Sequence, residues 1–107
     1  MSSSNILSID QLEGLEADIH EGRCVLIDVR ERHEYEAGHI PMSVNRPLSQ
    51  MASWSAPMDR EQKLILYCRT SNRSRTCAEA LRARGFIEVK VLEGGYTAWL
   101  RSSSAQA

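Results

Sequence analysis

The chain lacks any apolar run approaching the roughly 20 residues a membrane helix needs. Its start, Met1-Ser2-Ser3-Ser4-Asn5, has neither the basic opening nor the apolar stretch of a secretory signal. No membrane partner is expected, and the expected location is cytoplasmic. Cysteine is scarce. Cys24, Cys68 and Cys77 make an odd number with no Cys-x-x-Cys pair, which argues against a disulfide framework and the usual zinc and dithiol motifs. No metal or cofactor is expected. Aromatic residues make up only 6% and the net charge is −1, a poor match to a nucleic-acid binder.

What is present is an ordinary globular composition of 107 residues, 42% hydrophobic and 25% charged, enough for one small core. The small net charge hides an asymmetry. Residues 1–62 carry 11 acidic and 5 basic side chains, whereas residues 63–107 carry 3 acidic and 8 basic. The positive excess gathers at Arg69, Arg73, Arg75, Arg82 and Arg84, as a local anion site would require.

Apolar runs alternate with helical patterns. After a short apolar start at residues 6–9, Ser8 or Asp10 can cap one helix running to about Glu21, with Leu12, Leu15 and Ile19 on one face. Gly22 stops it. Cys24 to Ile27 is a continuous apolar run, the pattern of a strand buried on both faces, and Asp28-Val29-Arg30 closes it. One exposed helical turn is expected over Arg32 to Ala37, then a turn at His39-Ile40-Pro41 and a weak strand at Val44-Asn45. A short helix is expected between Pro47 and Trp54. Lys63 to Tyr67 is a second buried strand, followed by a helix from about Ser74 to Arg84 that Gly85 ends. Val89 to Leu92 is another strand, and Tyr96 to Leu100 a last short helix. This alternation predicts an α/β domain with a mainly parallel sheet over residues 5–101, with flexible tails at 1–4 and 102–107.

The run Tyr67-Cys68-Arg69-Thr70-Ser71-Asn72-Arg73-Ser74 lies between the second buried strand and the helix after it. A cysteine at such a turn faces unpaired amides of the helix start, and arginines follow one and five positions later. Amides and guanidinium groups together favour thiolate over thiol, which makes Cys68 a candidate nucleophile for a small oxyanionic substrate. Sulfane sulfur, phosphorus and arsenic centres all suit that chemistry. In parallel sheets ligands bind at the carboxyl ends of strands, where both Cys68 and Asp28 fall.

The loop Cys68 to Ser74 resembles the active loop of rhodanese-family sulfurtransferases. Three further blocks agree in kind and order: Leu26 to Arg30 with Glu34-Tyr35; Gly38-His39-Ile40-Pro41 with Asn45 and Pro47; and Leu92 to Trp99. The resemblance spans Ser8 to Leu100. It implies a three-layer rhodanese-like domain, with a central, mainly parallel sheet of about five strands between helices. It also implies a ping-pong reaction through a Cys68 persulfide, with thiosulfate or a similar donor anion and an acceptor such as cyanide or a thiol, a sulfur-accepting protein among the candidates. Backbone amides from Arg69 through Ser74 would hold the terminal sulfur. Arg69 would attract the donor, the Thr70 and Ser71 hydroxyls would bond donor or persulfide, Asn72 belongs to the same loop, and Arg73 would bind the anion or hold the loop shape. Asp28 and Arg30 are supporting candidates, or an internal ion pair.

Phosphatases on a related branch of the fold have one more residue between cysteine and arginine, and usually histidine where this chain has Tyr67. The shorter loop closed by Arg73 favours sulfur over phosphoryl transfer. A phosphatase or arsenate reductase and a low-turnover binding module are the alternatives. Ser71 departs from the family pattern, which commonly has glycine there; if the loop needs positive φ, serine strains it. Met42-Ser43 is a second departure, in a turn. His39 is expected to hold its turn rather than act as a base, Cys24 and Cys77 to be core, and Trp54 to pack or line the pocket mouth.

Overall fold

The computed structural model describes residues 5–102. Five strands form one sheet, all neighbours parallel: β1 Ile6–Leu7, β2 Cys24–Asp28, β3 Val44–Asn45, β4 Lys63–Tyr67 and β5 Val89–Leu92, in the order β1-β5-β4-β2-β3. The helices are α1 Ile9–Glu13, α2 Glu16–His20, α3 Arg32–Ala37, α4 Met51–Ser55, α5 Asn72–Ala83 and α6 Gly95–Leu100, with a 3-10 turn at Leu48–Gln50 before α4.

The three central strands are apolar on both faces because helices cover both faces. On one side Ile27, Val29, Leu64, Leu66, Val89 and Val91 pack against Cys77, Ala78 and Leu81 of α5, with α4 alongside. On the other, Leu26, Ile65, Tyr67 and Leu92 pack against Leu12 and Ile19, with Tyr96 and Trp99 of α6. This is the expected three-layer arrangement.

The single helix expected up to Glu21 is two. Ser8 and Gln11 form a capping box that starts α1. Gly14, a poor helix former, ends it, and the Leu15 amide makes a tight bond back to the Leu12 carbonyl before α2 begins. The apolar face survives the break, since Leu12 and Ile19 are both buried. Between Pro47 and Ser55 the 3-10 turn precedes α4, in place of one short helix. The helix expected from Ser74 starts two residues earlier, at Asn72. The tails at 1–4 and 103–107 lie outside the described residues; Ser102 donates its hydroxyl to the Trp99 carbonyl. Among the described residues no helix is long and apolar enough to cross a membrane.

Register decides what meets at the carboxyl end of the sheet. β2 and β4 pair from Cys24↔Lys63 to Asp28↔Tyr67, and the Val29 amide donates to the Tyr67 carbonyl at 2.9 Å. The ends of both strands, Asp28 and Tyr67, therefore lie side by side, with Cys68 one residue beyond.

Candidate active site

Cys68 leaves β4 at its carboxyl end and is 1% exposed. The chain turns through Arg69, Thr70 and Ser71 and enters α5 at Asn72. That turn carries the first helical residues back over the sulfur. The Ser74 amide donates to Cys68 Sγ at 3.4 Å, and the Ser74 hydroxyl lies 3.5 Å from the same atom. The hydroxyl also donates to the Ser71 carbonyl at 3.1 Å. Among the described residues Ser74 alone hydrogen-bonds Cys68 Sγ.

The outer side of the loop is held by the start of α6. The Tyr96 amide donates to the Cys68 carbonyl at 2.9 Å and the Thr97 amide to the Arg69 carbonyl at 3.0 Å. A Cβ on Gly95 would run into the Cys68 and Thr70 carbonyl oxygens, and its φ of 57° also favours glycine. The Gly-Gly pair of the last block thus permits a close approach of two backbones.

The arginines divide. Arg69 is exposed, as are its loop neighbours Thr70 and Asn72. Arg73 turns to α3, where its two terminal nitrogens bond both oxygens of Glu34 at 2.7 and 3.0 Å. That bidentate pair holds the Glu34 carboxyl well below its usual range, at about 2. Glu34 and Arg73 lie 39 residues apart, and the sequence assigned Glu34 no partner. The only signal was its place in the block that also holds Asp28 and Arg30.

Asp28 and Arg30 pair with each other. Asp28 is 0% and Arg30 4% exposed, and the guanidinium meets the carboxylate at 2.7 Å. Arg30 also donates to the Gly38 carbonyl and lies 4.5 Å over the Tyr96 ring. The pair thereby ties β2, the Gly38 turn and α6 together beneath the loop. Tyr67 does similar work. Its hydroxyl accepts the Ile40 amide at 3.0 Å and shares a hydrogen bond with Ser43, while burial pushes its acidity down. His39 stacks on Tyr35 and bonds its carbonyl, holding the turn. Trp54 packs against the α5-side core and donates to the Pro47 carbonyl.

Ser71 has φ −147°, so the loop needs no left-handed residue there and the expected strain is absent. Its hydroxyl accepts the Gly94 amide at 3.2 Å. Cys24 and Cys77 are core, as expected; burial raises both thiols, Cys77 to about 12.

The family model for the rhodanese-like domain matches residues 11–102. The chain belongs to the rhodanese-like domain family. This rhodanese-like domain is 42% identical over 74 residues to an uncharacterised protein of Bacillus subtilis, YqhL, covering 69% of this chain and 59% of that one. It is 37% identical over 75 residues to an uncharacterised protein of Synechocystis, covering 70% and 42%. The aligned part thus spans less than two thirds of either curated relative. Among solved structures, it is similar to the human single-domain sulfurtransferase TSTD1, with TM-score 0.80, 27% identity, and 94% of this chain and 98% of that one covered. It is also similar to a rhodanese-related protein of Thermoplasma volcanium, with TM-score 0.78, 26% identity and 91% of each chain covered. The rhodanese-like domain is therefore related to sulfurtransferases.

Proposed function

We propose that this rhodanese-like domain is a thiosulfate-type sulfurtransferase working through a Cys68 persulfide. The observation that carries the reading is the cysteine sulfur at the carboxyl end of β4 with the Ser74 amide and hydroxyl on it. The thiol first gives its proton to solvent. The thiolate attacks the outer sulfur of thiosulfate, a Cys68 S–S bond forms, and the donor's S–S bond breaks with its electron pair leaving on sulfite. Cyanide or a thiolate then attacks the terminal sulfur and Cys68 leaves as thiolate. The Ser74 amide stabilises the negative charge that Sγ carries as the attacking thiolate and regains as the leaving group of the second step. Arg69 is the exposed cation for the incoming anion, because Arg73 is engaged by Glu34. A sulfur-accepting protein suits the same chemistry.

Mass spectrometry after thiosulfate treatment tests this. One added sulfur is expected on the wild-type protein, removed by cyanide and absent in Cys68→Ser. An adduct that persists in Cys68→Ser, or none on the wild type, overturns it. The 1% exposure of Cys68 favours a second reading, a binding module with little turnover. That reading requires a partner-dependent effect intact in Cys68→Ser.

A further inference from the structure

We propose that Ser71 is a positioning residue that sets donor choice, holding the loop closed against the turn before α6 so that slim anionic donors are preferred to bulky organic persulfides. This rests on the sulfur-transfer reading above. Three hydrogen bonds run from residues 94–97 onto residues 68–71. Two of them, Tyr96 to Cys68 and Thr97 to Arg69, end on backbone carbonyls that any residue supplies. The third, from the Gly94 amide, ends on the Ser71 hydroxyl at 3.2 Å. Glycine or alanine at position 71 removes that acceptor.

Through its backbone Ser71 is linked to the sulfur by way of Ser74. Its carbonyl accepts both the Ser74 hydroxyl at 3.1 Å and the Arg75 amide at 3.0 Å. The same Ser74 residue contacts Cys68 Sγ through its amide and hydroxyl. Ser71 is thus the joint between the turn at Gly94 and the residue that touches the reacting atom. Its half-buried backbone adopts φ −147°, so the side chain is carried without strain. Gly95 is seated against the carbonyls of Cys68 and Thr70, and Cys68 is 1% exposed. On this proposal a donor whose sulfane sulfur ends a small oxyanion would approach Sγ on the side of exposed Arg69 and Thr70, whereas one carrying a peptide-sized group would need the 94–97 turn to move away.

The experiment compares Ser71→Ala, Ser71→Gly and Ser71→Thr with the wild type on two donors, thiosulfate and glutathione persulfide, and follows exchange of the Gly94 amide by NMR. In the alanine and glycine variants the ratio of kcat/KM for thiosulfate to that for the persulfide is expected to fall about fivefold, the worth of one net hydrogen bond. Gly94 exchange should rise by a similar factor, and threonine should restore both. An unchanged ratio, including a parallel loss on both donors, overturns the proposal, as does unchanged Gly94 exchange. A wild-type protein that accepts sulfur from neither donor overturns the sulfur-transfer reading itself, and donor choice with it.

Discussion

At the scale of single residues, the site depends on groups whose partners are buried with them. Asp28 and Arg30 are both nearly inaccessible, so removing one leaves the other charged and unpaired. Asp28→Ala is expected to cost about 3–5 kcal/mol in urea unfolding, whereas replacing both residues with apolar ones of similar size should cost much less. Gly95→Ala combines a left-handed φ with a collision against the Cys68 and Thr70 carbonyls. It should lose about 2 kcal/mol or more and slow persulfide formation, because relief requires the loop to move. Ser71 shows the limit of reasoning by residue type. The family's common glycine there points to a need for positive φ, yet the backbone sits at φ −147° and the hydroxyl has its own bond.

At the scale of elements, α3 and α5 are joined by Glu34 and Arg73, and α6 is joined to the loop by backbone bonds. The Glu34–Arg73 pair is partly exposed, 24% and 38%, so solvent screening leaves it about 1 kcal/mol at neutral pH. The folded carboxyl is held at about 2, below its ordinary 4.5. A depressed folded value means the contribution is complete above about 4.5 and drains away as pH falls through about 2. The difference in urea midpoint between wild type and Glu34→Gln should therefore shrink across that window; a difference that is constant with pH would contradict this origin. Sequence periodicity read the face of α1 and α2 correctly but missed the break at Gly14. The first turn of α5 was missed because Asn72 and Arg73 are polar, and polar residues at a helix start carry no apolar period.

At the scale of the whole molecule, two helical layers seal the sheet and leave its carboxyl edge to the loops. All three thiols are buried, so what sets Cys68 apart is its place at the carboxyl end of β4 with the Ser74 amide on its sulfur. Cys77 is 0% exposed with its thiol raised to about 12, and Cys24 is buried and raised. Native protein treated with iodoacetamide at pH 8 should leave both unlabelled on the timescale of persulfide formation at Cys68, and all three should react once the chain is unfolded. Mass mapping of labelled peptides gives the answer; rapid native labelling of Cys77 would contradict it.

The order of strands and helices, the apolar central strands, the cysteine loop and the family all follow from local pattern. An apolar run bounded by turn residues, and a cysteine ahead of a helix start, are written within a few consecutive positions. Pairing across distance was decided only by the tertiary structure. Arg73 meets Glu34 rather than a free anion site, Asp28 takes Arg30, and Ser71 reaches Gly94, 23 residues further on. Each of these polar groups had several suitable partners in the chain. Which it takes depends on strand register and on where α3 and α6 dock, both set by burial of the apolar faces.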